Sequence, residues 1–201
     1  MKTSRPPQNR YSYADYLTWP DDQRWELIDG NAYAMVPSPT TRHQSIQQNL
    51  SRLLGNHFLG KGCRPFHAPL DVKLSDNDVV QPDLLVVCDS QKIGDKAIFG
   101  APDLVIEITS PATEARDRRE KKALYERFGV AEYWIVSPNG FVEQLVLGAD
   151  NRYSANAVFN IGEQVKSARF PDLVLSIDDI FDGLGLEVKE TLPPPYASAS
   201  G

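Results

Sequence analysis

The residues best suited to chemistry in this chain are carboxylates set into apolar strands. Asp83, preceded by Pro82, heads the run Leu84-Leu85-Val86-Val87, and Glu107 interrupts Leu104-Val105-Ile106 and Ile108. A lone charge in such a setting is costly to bury, so each acid needs a partner or a metal. Two carboxylates converging from neighbouring strands suit Mg2+ or Mn2+, which take hard oxygen ligands and keep room for waters and a phosphate. Spacing alone leaves a second account open, in which Asp83 caps the turn after Pro82 and Glu107 pairs with a buried Arg or Lys.

Further along, Asp117, Lys121 and Tyr125 stand four residues apart. On a helix each is turned only about 40° from the last, so all three share a face. Taken alone, Asp117 and Lys121 make an ordinary i,i+4 ion pair on a solvated face. With Glu107 upstream they read instead as a functional face, where Lys121 stabilises charge developing on a phosphate or orients a water nucleophile. The basic residues Arg116, Arg118, Arg119, Lys121 and Lys122 alternate with Glu114, Asp117 and Glu120. That is the pattern of a solvated helix, and beside a metal site it also offers phosphate contacts.

The elements that must carry these groups are legible from periodicity and turn chemistry. Tyr11 to Trp19 predicts a short helix, entered at Ser12 or Tyr13 and stopped by Pro20. Arg24–Ile28 and Ala32–Val36 predict a hairpin through Asp29-Gly30. Pro37-Ser38-Pro39-Thr40 leads into a helix from Thr41 to about Phe58, with Ile46, Leu50, Leu53, Leu54 and His57 near one face and Gly60 and Gly62 at its end. Arg64–Leu74 alternates as one strand, Val79–Val87 follows as another, and Leu104–Ile108 is a buried strand. A helix from about Glu114 to Phe128 stops at Gly129. Strands at Tyr133–Val136, Val142–Leu147, around Tyr153 and at Val174–Ile177 follow, then a short helix at Ile180. This order predicts an α/β (mixed α+β) fold, a mixed sheet flanked by helices with antiparallel additions. One domain is expected over residues 11–186, between a polar arm (1–10) and a disordered proline-containing tail (187–201).

Composition narrows the class. With 201 residues, 21 Lys+Arg against 27 Asp+Glu and a net charge of −6, the chain is not coated in basic charge for phosphate binding, and any such charge must be local. Cys63 and Cys88 match no zinc spacing and read as two reduced, mostly buried thiols. No apolar run is long enough to cross a membrane, and the polar start lacks a signal-peptide core, so a cytoplasmic protein is expected.

Several motifs occur in one order. They are Trp25-Glu26-Leu27-Ile28-Asp29-Gly30, Pro37-Ser38-Pro39 with Arg42-His43-Gln44, and Pro82-Asp83-Leu84. Next come Val105-Ile106-Glu107-Ile108-Thr109-Ser110-Pro111, then Asp117, Glu120-Lys121 and Tyr125, and finally Gly129-Val130-Ala131-Glu132-Tyr133-Trp134-Ile135-Val136. Together, over about residues 10–185, they resemble the Uma2 family of restriction-endonuclease-like proteins. The resemblance implies a PD-(D/E)xK nuclease core with a divalent metal, Mg2+ or Mn2+, held by Asp83 and Glu107. It also implies that Glu26 and His43 approach the same site from the hairpin and the first long helix. From the residues alone, His43 caps or solvates the helix start and Glu26 pairs with Arg24 or Arg42. The sequence departs from the namesake motif at Thr109, where that motif has lysine, and Lys121 matches the family's lysine position instead. The expected activity is metal-dependent hydrolysis of DNA phosphodiesters by Asp83, Glu107, Lys121 and Glu26, supported by His43, Asp117 and Tyr125, in a chain that allows a homodimer. The alternative is a catalytically silent nuclease fold that binds nucleic acid or a protein partner.

Overall fold

Asp29 and Gly30 both take left-handed backbone, with φ of 51° and 73°, and this turn joins the first two strands as the Asp-Gly pair predicts. A computed structural model describes residues 10–20, 23–35 and 38–185. The expected arm at 1–9, the tail after residue 185 and the predicted strand end at Val36 lie outside the described residues. In chain order the first elements are α1 (Tyr13–Tyr16), β1 (Trp25–Ile28), β2 (Asn31–Ala34) and α2 (Thr41–Phe58). Then follow β3 (Arg64–His67), β4 (Asp71–Ser75), β5 (Asp78–Val80), β6 (Leu84–Val87), β7 (Ala97–Phe99) and β8 (Leu104–Ile108). A helical segment comes next: α3 (Glu114–Arg116), a π-helical turn (Asp117–Lys121) and α4 (Lys122–Phe128). The chain closes with β9 (Glu132–Ser137), β10 (Phe141–Leu147), β11 (Tyr153–Asn160), β12 (Gln164–Lys166), β13 (Val174–Ser176) and α5 (Ile177–Ile180).

The strands form a five-stranded sheet in order β2-β1-β5-β4-β7, a six-stranded sheet in order β11-β10-β9-β8-β6-β3, and the ribbon β12-β13. One long hairpin links the two larger sheets. β3 pairs with β6 in one sheet while β4 pairs with β5 in the other. The bend falls where Ala68-Pro69-Leu70 faces Gln81-Pro82-Asp83, and Pro69 and Pro82 have no N–H to continue the ladder. The strands expected as single runs, Arg64–Leu74 and Val79–Val87, are therefore each broken in two at a proline. β7 and β12 are three-residue strands, too short to leave a periodic signal.

β8 shows how the core is divided. Leu104, Ile106 and Ile108 pack with Ile46, Leu50 and Leu54 of α2 and with Trp134 and Val136 of β9. Val105 belongs to the opposite core, with Leu85, Leu124, Tyr125, Tyr133 and Ile135, and with Ile28, Val72, Val80 and Ile98 of the other sheet. Successive strand residues alternate faces, so Glu107 shares Val105's side and Glu26 shares Ile28's. Both acids thus turn into the space between the two sheets and α4.

The cysteines correct the expectation of two separate thiols: Cys63 and Cys88 form a disulfide. Arg64 is opposite Val87 on the β3–β6 ladder, and one more step in that register sets Cys63 against Cys88. Their separation of 25 residues matches no linear motif, so only strand pairing reveals the bond. Among the described residues, no helix is long and apolar enough to cross a membrane.

Candidate active site

The bend in the long hairpin places Asp83. β6 runs antiparallel to β8 with Leu84 opposite Ile106 and Leu85 opposite Val105, and one further step sets Asp83 opposite Glu107. Asp83 Oδ2 accepts a hydrogen bond from the Ile108 N–H at 2.8 Å and lies 3.1 Å from His43 Nε2. The Gln47 side-chain amide donates to the Asp83 carbonyl at 3.1 Å. Thr40 caps α2 by accepting from the His43 N–H, so the first turn of α2 is held while the His43 ring reaches the bend. His43 is held above the ordinary histidine range: burial acts against its charged form, but the hydrogen bond and charge of Asp83 outweigh it.

The helical segment supplies the cation. Its π-helical turn departs from the regular α-helix expected over Glu114–Phe128, but the wider turn still keeps Asp117 and Lys121 on one side, both buried. Lys121 Nζ donates to Glu107 Oε1 at 2.8 Å and sits 2.8 Å from Glu26 Oε1, with Asp117 Oδ1 at 4.0 Å. Tyr125 donates its hydroxyl to the same Glu107 oxygen at 2.7 Å. Glu26 Oε1 also accepts from the Gln81 N–H at 3.0 Å, and Arg116 Nη1 lies 3.8 Å from Glu26 Oε2. Glu26, Glu107, Asp117 and Lys121 are each no more than 4% exposed.

Three acids close to one buried lysine, with Asp83 nearby, perturb each other in a definite direction. Glu107 is pushed well above the usual carboxylate range, first by burial and then by Asp117, Asp83 and Glu26, against the pull of Lys121. Asp117 is raised as well, chiefly by burial. Burial alone would lower Lys121, but Glu107, Glu26 and Asp117 reverse that and hold it charged above the ordinary lysine range. Tyr125 is raised by burial and by the adjacent Glu107, so its hydroxyl stays a donor.

The structure therefore gathers Glu26, Glu107, Lys121 and Tyr125 into one hydrogen-bonded cluster, with Asp117 held to it by its charge and Asp83 and His43 as a second pair beside it. Glu26 pairs with Lys121 rather than with Arg24, which donates to Gln81, or Arg42, which donates to the Pro138 carbonyl. Arg118 bonds Glu114 and Glu143, the solvated-face pattern that its run suggests. Sequence reasoning missed Gln81, whose side chain bridges Arg24 and Asp71, and Tyr133, whose hydroxyl donates to the Asp117 carbonyl at 3.2 Å. Gln81 adjoins Pro82-Asp83, which is a usable signal. Tyr133 reads simply as a strand aromatic.

Among the described residues, no group of three or more His, Cys, Asp or Glu side chains is arranged to enclose a metal ion. Mg2+ needs no such cage, because it is commonly held by one or two carboxylates with waters and substrate phosphates completing the shell. Asp83 Oδ1 and Glu107 Oε2 accept no hydrogen bond from the described residues. These two hard oxygens, on residues that the ladder sets opposite each other, are a donor set that fits such an ion.

Comparison with known proteins agrees with this architecture. A solved structure described as a putative nuclease belonging to DUF820, from Anabaena variabilis ATCC 29413, superposes with a TM-score of 0.69 at 22% identity, covering 85% of this chain and 97% of that one. It shares the fold, a mixed α/β nuclease-like architecture. The protein slr1290 of Synechocystis sp. (strain PCC 6803), named as uncharacterized, is 31% identical over 140 residues, 68% of this chain and 73% of its own. The family model Uma2, described as "Putative restriction endonuclease", matches residues 13–178. The match spans both sheets and every residue of the cluster, and the chain belongs to the Uma2 family.

Proposed function

We propose that this protein is a metal-dependent endonuclease that hydrolyses DNA phosphodiester bonds, with Asp83 and Glu107 holding Mg2+ or Mn2+. The observation that carries the proposal is the pair of uncommitted carboxylate oxygens on Asp83 and Glu107, with the Lys121 ammonium fixed on the other Glu107 oxygen. A divalent ion there would lower the pKa of a bound water and offset charge on the phosphate. Lys121, held charged, is suited to stabilise developing negative charge or to orient the water. Glu26 and Tyr125 keep Lys121 and Glu107 in place through their hydrogen bonds, and His43 orients Asp83. Asp117 balances the lysine from one turn back.

The test is cleavage of supercoiled plasmid and of single-stranded DNA in Mg2+ and in Mn2+. Asp83→Asn, Glu107→Gln and Lys121→Ala should each abolish metal-dependent cleavage while far-UV circular dichroism stays native. Three variants as active as the parent protein would end the assignment.

One observation favours a second reading, a silent nuclease fold that binds nucleic acid or a protein partner. Lys121 already pairs with both Glu26 and Glu107 at 2.8 Å each, as it would in a purely structural ion cluster. DNA binding with no cleavage in either metal would select that reading.

A further inference from the structure

Beside Asp83 a polar cleft of about 300 Å3 opens between α2 and the bend of the long hairpin. Its lining on the helix side includes Gln44, Gln48 and Ser51, which recur at i, i+4 and i+7 and so form one stripe along α2. Gln44 and Gln48 are exposed. The side chains of Gln48 and Ser51 make no hydrogen bond with the described residues, and that of Gln44 makes one, donating to the Gln47 amide oxygen at 3.3 Å. Across from the stripe stand His67, Ala68 and Pro69. His67 is exposed, with its ring tied to the Ala68 carbonyl at 3.0 Å.

The chemistry of this lining is specific. Arg24 is its one permanent cation, and the Arg24 Nε–H is spent on Gln81 at 2.9 Å. A phosphate track would use several cations. The cleft instead combines the flat face of an imidazole and the apolar surface of two prolines with exposed amides that both donate and accept. A nucleobase needs that combination, a face to stack on and an edge to pair with. Glutamine in particular can satisfy the donor and acceptor of an adenine edge together. The size suits a single unpaired nucleotide rather than a duplex groove.

We propose that this cleft holds an unpaired base of the nucleic acid next to the phosphate at Asp83, and that Gln44 and Gln48 read its edge, with adenine the preferred base. The inference deepens the endonuclease reading and rests on it for the position of the phosphate.

The test separates the two claims. Fluorescence anisotropy with labelled single-stranded 12-mers of dA, dC and dT at low salt in EDTA measures base preference without cleavage. A single base-edge contact of this kind discriminates by roughly 5- to 150-fold, so dA should bind at least about fivefold tighter than dC or dT. The Gln44→Ala/Gln48→Ala double variant should bring the three affinities within about twofold. Both side chains are exposed, so its melting temperature should match the parent's. Equal parental affinities, no oligonucleotide binding at all, or a preference kept by the double variant would each overturn the proposal. The same 12-mers incubated with Mg2+ or Mn2+ report on cleavage separately. Cleavage without base preference removes the cleft's role alone, and preference without cleavage removes the nuclease reading alone.

Discussion

Replacing Lys121 with methionine isolates the electrostatics of the cluster. The methionine fills much of the space of the lysine stem, so the change removes chiefly the charge. At 2.8 Å from each of two carboxylates, the gross attraction at an effective dielectric of 20 is about 6 kcal/mol per pair. Most of that is offset by the cost of drying the three charges, and removing one member of a buried pair typically costs about 3–5 kcal/mol. Glu107 escapes part of the penalty, because burial and neighbouring acids already push it upward and it can take up a proton. We therefore expect Lys121→Met to lose about 3 kcal/mol in urea denaturation at pH 8. The sign with pH follows from the acids. A carboxyl whose folded pKa is raised is best tolerated below its ordinary value and destabilises as pH rises through the folded value. Without the lysine, Glu107 and Asp117 rise further, so the deficit should shrink toward pH 5. Adding Glu26→Gln should recover part of the loss, since contacting residues couple. A loss under 1 kcal/mol at pH 8, or one that does not change with pH, would refute this account of the cluster.

Three other outcomes are expected. Millimolar Mg2+ or Mn2+ should raise the melting temperature of the parent protein but not of Asp83→Ala, since a ligand at a hundredfold excess over its Kd stabilises by about 2.7 kcal/mol; differential scanning fluorimetry reads this directly. Glu132 is fully buried and accepts from Trp134 and Ser167 side chains, from the Gln144 amide and from the Arg169 N–H. Glu132→Gln points an N–H2 at those donors and should cost about 1–3 kcal/mol in chemical denaturation. Reducing Cys63–Cys88, which closes a loop with a sequence separation of 25, should lower stability by about 3 kcal/mol, measured with and without dithiothreitol.

Much of this architecture was legible because its signals are local. α2 ends where its apolar spacing ends, β8 occupies its apolar run, and Gly129 stops α4 with φ of 77°. The breaks in the long hairpin were not, since alternation runs straight through Arg64–Leu74 and only the two sheets reveal that the strands change partners. The π-helical turn left no trace either: residues four apart share a face in either helix type. The disulfide depends on a register two strands wide. In the candidate site, Glu26, Asp83, Glu107 and Lys121 stand out as charges in or near apolar runs or as family motif positions. Which acid meets the lysine is a property of packing. Glu132 shows the limit of the rule, since it is as buried as Glu107 but is satisfied by neutral donors.

The bent hairpin also sets how the molecule can flex. Asp83 lies on its crease, Glu107 on one leaf through β8 and Glu26 on the other through β1. A change in the angle between the leaves alters the span from Glu26 to Glu107 but hardly moves Asp83 against Glu107, which share one ladder. Lys121, bonded to an acid on each leaf, acts as a clasp across the opening. A change that drew the lysine off Glu26 would undo that clasp and leave the two leaves joined at the crease.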